Sequence, residues 1–194
     1  MKYIVSIGLF FALGAFFVLS CAKYKDTKAT PDPRLTNPYC NDPTAVNYNW
    51  GFPGVPDSSI CFYPTDVFNG TWEYHDSVFV QPSGLFIYAD SFVMTITKLS
   101  KTQMTVLGFC SGGGSLNLTA GPLFVATVDS TIKDSLLNAT IGADEGQPFC
   151  IAQDTVNGTF TKDIISDSII HVSLTVNSDT GVVSTHIGTA YKKK

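Results

Sequence analysis

The 194-residue chain carries 12 lysines and arginines against 16 aspartates and glutamates, a formal charge of −4, and 44% of its residues are hydrophobic against 14% charged. That balance supplies no basic field for a phosphate backbone, which excludes nucleic acid as a partner, and it supplies enough apolar surface to pack one domain with a small appendage. The five cysteines, an odd number, call for one that does not pair internally.

Lys2 opens the chain with a positive charge, Tyr3 to Leu19 is almost wholly apolar, and the small Ser20 precedes Cys21. This is the order of a secretory signal with its cleavage point. A membrane-spanning helix is the competing reading, but the run lies near the lower limit of about 17 residues. Val18-Leu19-Ser20-Cys21 resembles a bacterial lipobox, in which the cysteine thiol takes diacylglycerol and its amine is acylated. The resemblance implies a lipoprotein signal peptide over 1–20, lipidation at Cys21 and attachment to the outer membrane, because Ala22 and Lys23 supply no acidic inner-membrane retention signal. It also leaves four cysteines, an even number for an oxidising compartment. Residues 21–39, with Pro31, Pro33 and Pro38 among Lys, Asp and Thr, read as a flexible tether.

Cys40 and Cys61 bound a Gly/Pro-rich stretch, and a disulfide between them would restrict mainly the unfolded chain, by roughly 3 kcal/mol. The segment 40–64 resembles a short repeat of secreted Bacteroidota proteins, Cys-x-Asp-Pro-x-Ala-x-Asn-Tyr with a later Cys-x-Tyr, through Cys40, Asp42, Pro43, Ala45, Asn47, Tyr48, Asp57, Cys61 and Tyr63. That repeat is similar to calcium-binding thrombospondin-type-3 loops. Here Asp42 and Asp57 are the only carboxylates, fewer than calcium prefers. The expectation is therefore structural, with no cofactor and with calcium as the alternative: Asp42 and Asn47 cap turns, while Trp50 and Phe52 pack on the following domain.

From Asn69 onward, short β-branched and apolar runs alternate with turn residues. Strands are expected at 71–80, 86–98, 102–109, 115–120, 122–128, 132–141, 155–162, 167–177 and 182–191, without a competing helix. Phe92, Met94 and Ile96 share one face, as do Ile170, Val172, Leu174 and Val176, a period of two. On the last strand Val183, Ile187 and Tyr191 oppose Ser184, His186 and Gly188. The fold class is all-β: an antiparallel meander over 66–192 forming a small open or closed barrel, with a β-sandwich as the alternative. Asn69-Gly-Thr-Trp-Glu-Tyr74, Asn157-Gly-Thr-Phe160 and Gly188-Thr-Ala-Tyr191 resemble the lipocalin-like or calycin-like domains of Bacteroidota lipoproteins, which implies an interior for a small apolar ligand. Cys110 and Cys150 form the remaining disulfide pair, worth roughly 4 kcal/mol in the chain-entropy picture.

Catalytic motifs are absent: there is no Gly-x-Ser-x-Gly, His-Glu-x-x-His or phosphate loop, and Glu73 and Glu145 are the only glutamates. His75, His171 and His186 lack metal-ligand spacing, and His171 and His186 are expected on the outward faces of neighbouring strands. Asp144-Glu145 belongs to a solvated loop. Five Asp-Ser/Thr-x triplets resemble the O-glycosylation acceptor of Bacteroidota, with acceptors Ser77, Ser130, Ser135, Thr155 and Ser168. The N-linked patterns at Asn69, Asn117, Asn138 and Asn157 are discounted by the bacterial leader. The function expected is a non-enzymatic, lipid-anchored envelope protein that binds a small apolar ligand or a protein partner. The alternatives are an accessory subunit docking through the Cys40–Cys61 module, and an envelope hydrolase.

Overall fold

The computed structural model describes residues 30–111, 114–130, 132–134, 139–141 and 146–193. The leader, Cys21, Ser135, Asp144 and Glu145 lie outside them. Two short strands, β1 (Pro38–Tyr39) and β2 (Val55–Pro56), pair in parallel, so the last two residues of the expected tether 21–39 join the N-terminal module, which the Cys40–Cys61 disulfide closes. The barrel strands follow in chain order: β3 (Gly70–Val80), β4 (Leu85–Lys98), β5 (Gln103–Leu107), β6 (Ser115–Ala120) and β7 (Val125–Val128). An excursion then carries a separate hairpin of β8 (Ile132–Asp134) and β9 (Ala139–Ile141), and β10 (Gln147–Phe149). The chain rejoins the barrel with β11 (Ile151–Lys162), β12 (Ile169–Asn177) and β13 (Val183–Lys192).

All sheet pairings outside the module are antiparallel, and the order β11-β12-β13-β3-β4-β5-β6-β7 closes on itself through β7 and β11. The body is thus an eight-stranded closed barrel, the meander read from the sequence, with β8–β10 inserted before the final three strands. Closure leaves no free edge around the complete hoop. The expected strand 132–141 is instead two three-residue strands paired with each other. Strand ends have local causes: Gly108 adopts φ +118° and ends β5, while Phe124 at φ +58° and Pro122, which cannot donate to a ladder, delay the start of β7 to Val125.

A helix missed by the sequence pattern, α1 (Pro64–Phe68), closes one end. Proline stands at its start, where a missing N–H is harmless, and the Asp66 carboxylate accepts from the Tyr63 N–H at 2.9 Å. The Thr65 hydroxyl donates to the Ser100 and Lys101 carbonyls, both at 3.1 Å, tying the helix to the β4–β5 turn. Behind it Phe68, Trp72, Ile96, Met104, Phe160 and Ile170 are buried and fill the base of the barrel. The lower half is a packed hydrophobic core.

The module rests against this base. Lys101 donates to Asp42 at 2.6 Å, Tyr63 donates to the same carboxylate at 3.0 Å, and the Phe62 and Phe124 rings lie 6.3 Å apart. Trp50 and Phe52, expected to pack on the barrel, are 68% and 66% exposed, and Phe52 meets Tyr39 edge-on at 5.6 Å. Cysteine closure holds the loop from within, so these rings are not needed as its anchor. The Lys101 ammonium and the Thr44 donors hold the Asp42 carboxyl below the usual carboxylate range, and Lys98 and the Tyr63 N–H do the same for Asp66 against its partial burial. Depressed folded values make these contributions complete above pH ~4, the ordinary carboxylate value, and lost as pH falls through the depressed ones. Protection from hydrogen exchange, taken relative to the intrinsic rate at each pH between 6 and 2, is therefore expected to fall first at the Val46 and Phe62 amides of the module, and before the β12 amides.

Candidate functional site

At the end of the barrel opposite α1, the filling is aromatic. Phe109 sits at the centre, with ring centroids 5.2 Å from Phe92, 5.5 Å from Tyr74, 6.1 Å from Phe149 and 6.2 Å from Phe160. Two devices from the excursion hold it there. The Cys110–Cys150 disulfide joins the segment following β5 to the one following β10. Where β7 stops, the Gln147 side chain takes over the ladder: its Oε1 accepts from the Asn117 N–H at 3.0 Å and its Nε2 donates to the Asn117 carbonyl at 2.8 Å. A side-chain amide thereby stands in for the peptide group of a missing strand, which explains why so polar a residue is fully buried.

Above the aromatic floor lies an open cup of about 400 Å³. Its wall brings Asp76, Asp90 and His186 together with Tyr88, Phe92 and Phe149. Asp76 and Asp90 are directly opposite in the β3–β4 register and so share the inner face. Asp76 is 5% exposed, and its two oxygens are both used: Tyr74 Oη donates to Oδ1 at 2.9 Å, and His186 Nδ1 donates to Oδ2 at 2.6 Å. Burial and the neighbouring carboxylate push the Tyr74 phenol far above its ordinary value, so it remains a donor. Asp90 is exposed at the rim.

His186 is the principal correction to the sequence reading. It points inward, 13% exposed at the side chain, and His171 alone of that expected outward pair faces solvent. The inner face of β13 is Ser184, His186, Gly188 and Ala190 because Tyr74 occupies the space an apolar side chain would take. A Cβ on Gly188 would lie 2.5 Å from the Tyr74 ring and 2.2 Å from the His75 carbonyl. Ser184 Oγ lies 3.4 Å from His186 Nε2, so Ser184, His186 and Asp76 have the connectivity of a charge-relay triad. The setting is wrong for acyl transfer. Ser184 sits in a regular strand paired with Val176 on one side and Val80 on the other, so neighbouring N–H groups are committed to ladders and do not converge as oxyanion donors.

The other candidate residues do not gather here. His75 and His171 lie on the outer face, and no group of three or more His, Cys, Asp or Glu among the described residues is arranged to hold a metal. Asp57 caps the turn at Ser59 and Asp42 the one at Thr44, so the module's two carboxylates serve separate turns. Of the acceptor triplets, Ser130 and Ser168 are exposed and Ser77 is half-buried. Thr155 is 7% exposed, with its Oγ1 enclosed.

No family model and no curated protein matches the chain. Among solved structures it is similar to a redesigned β-barrel, at 19% identity and TM-score 0.36, covering 68% of this chain and 96% of that one. It is similar to EF1p2_mFAP2b bound to DFHBI at 12% identity and TM-score 0.39, covering 67% and 97%. It is also similar to the S-type phycobiliprotein lyase CPES from Guillardia theta at 6% identity and TM-score 0.37, covering 67% and 90%.

Proposed function

We propose that the chain is a non-enzymatic envelope protein, anchored to the outer membrane through acylated Cys21, whose barrel mouth binds a small molecule with an apolar body and a cationic or hydrogen-donating group. The cup over Phe109 carries this reading: an aromatic floor receives a flat apolar body, and Asp76 and Asp90 on one wall favour a positive or donor-rich end. The expected apolar ligand is thereby narrowed to an amphipathic one. Titration with thioflavin T, a planar cation, is expected to give binding at least about tenfold tighter than titration with the anionic anilinonaphthalene sulfonate. Asp90→Asn, at the exposed rim, should reduce that preference several-fold without changing the melting temperature. Equal affinity for both dyes would end the charge argument, and no binding of either would end the ligand site. For the anchor, intact-mass measurement should find acyl chains on Cys21, and a Cys21→Ser protein should leave the membrane fraction.

The exposure of Trp50 and Phe52 favours a second reading, in which the disulfide-closed module is a docking element. It places the docking surface at the opposite end of the barrel from the cup. The two readings therefore describe separate surfaces and separate variants.

A further inference from the structure

The outer surface of the barrel carries a second concavity, of about 460 Å³, across β11, β12, β13 and β3. Its composition is unusual for the outside of a barrel, because no residue lining it is Asp, Glu, Lys or Arg. The sheet register explains the arrangement. Thr161, His171, Thr189 and His75 are successive cross-strand partners, and Ser91 on β4 continues the row. The next row runs through Thr159, Ser173, Ile187 and Ser77. Partners directly opposite point to the same face, so hydroxyls and imidazoles alternate at the interstrand spacing of about 4.8 Å.

These groups are largely uncommitted. Among the described residues, the hydroxyls of Ser77, Thr159, Thr161, Ser173 and Thr189 make no hydrogen bond within the protein, whereas that of Thr119 on another part of the sheet donates to Asp129 at 2.6 Å. His75 Nδ1 meets Ser91 Oγ at 2.7 Å and His171 Nε2 meets Asp163 at 3.0 Å, which fixes both rings and leaves each with one further ring nitrogen. Tyr191, edge-on to His75 at 5.7 Å, adds an aromatic face at one end.

We propose that this outer groove binds a neutral glycan chain laid across the four strands. Uncharged donors and acceptors repeated at a fixed spacing suit the hydroxyls of successive pyranose rings, whose repeat is of similar length. Threonine methyls, Ile187 and the Tyr191 ring suit the C–H faces of the same sugars. An anionic or cationic ligand would find no opposite charge in the groove, and a mainly apolar one would bury unpaired hydroxyls. The sheet holds every group in place before binding, so little ordering is left to oppose it.

The test is native gel electrophoresis of the folded chain in gels containing hydroxyethyl cellulose, glucomannan, laminarin or amylopectin, with polygalacturonate as the acidic comparator. Retardation by at least one neutral polymer is expected. His171→Ala and Tyr191→Ala should each weaken it by about fivefold or more, with Asp90→Asn at the cup unchanged. Thr189→Val, nearly isosteric and on the outer face, replaces His171→Ala if that variant melts early. No retardation by any neutral polymer, retardation by polygalacturonate alone, or retardation insensitive to these substitutions would each overturn the assignment. Because the dye titration and Asp90 report on the cup, failure of one site is distinguishable from failure of the other.

Discussion

Trp72→Ala is expected to lower the unfolding free energy by about 3–5 kcal/mol, measured by urea unfolding with the disulfides intact and followed by far-ultraviolet circular dichroism. Trp72 is fully buried at the base, where α1 meets the hoop. Its Nε1 donates to the Phe68 carbonyl at 2.9 Å, and the Lys192 ammonium stands 5.2 Å from its ring. In the β3 register it faces Met94 on one side and Lys192 on the other, so its removal opens a cavity beside the seam where the first and last barrel strands meet. Trp72→Phe restores most of the volume and leaves the Phe68 carbonyl unpaired, a loss of about 1–3 kcal/mol. Trp50→Ala supplies the comparison, since an exposed tryptophan should change stability by less than about 0.5 kcal/mol. Equal midpoints for the Trp72 and Trp50 alanine variants would mean that the base is not what holds the barrel closed.

The contrast between these two tryptophans shows where sequence pattern sufficed and where it did not. Alternation on β4, β6 and β12 was legible because Met94 and Ile96, Leu116 and Leu118, and the run from Ile170 to Val176 bury their apolar members, as a half-buried strand must. On β13 the same alternation points the wrong way. Ile187 and Tyr191 face out, while Ser184, His186 and Gly188 face in, because the volume inside is taken by Tyr74 from the neighbouring strand and the polarity inside is set by Asp76. Neither influence is local in sequence. Gln147 was unreadable for a related reason, since an amide that replaces a strand is recognisable only when Asn117 is beside it. The outer groove was visible only on β12, where His171 was expected to face outward, and ordinary solvated faces give the same pattern. What distinguishes it is the register that lines Thr161, His171, Thr189 and His75 into one row.

The cup makes the second large prediction: Asp76→Ala should cost about 3–5 kcal/mol, because it strips the partners from a buried phenol and an enclosed imidazole at once. Tyr74 is fully buried and its hydroxyl has Asp76 as its acceptor, so the alanine variant leaves that donor without its partner. Asp76→Asn keeps an acceptor for Tyr74 but loses the negative charge facing His186 Nδ1, and a smaller loss of about 1–3 kcal/mol is expected. The decisive comparison is a double-mutant cycle with His186→Ala. If the carboxylate and imidazole act as one desolvated unit, the double variant should be more stable than additivity predicts by about 1–3 kcal/mol, since removing the second partner no longer strands a polar group. Additive losses would mean that water reaches Asp76 and screens it. A screened carboxylate would also be a poor selector between a cation and an anion, so the stability cycle and the dye preference rise or fall together: the same burial that makes Asp76 expensive to disturb is what gives the mouth of the barrel its sign.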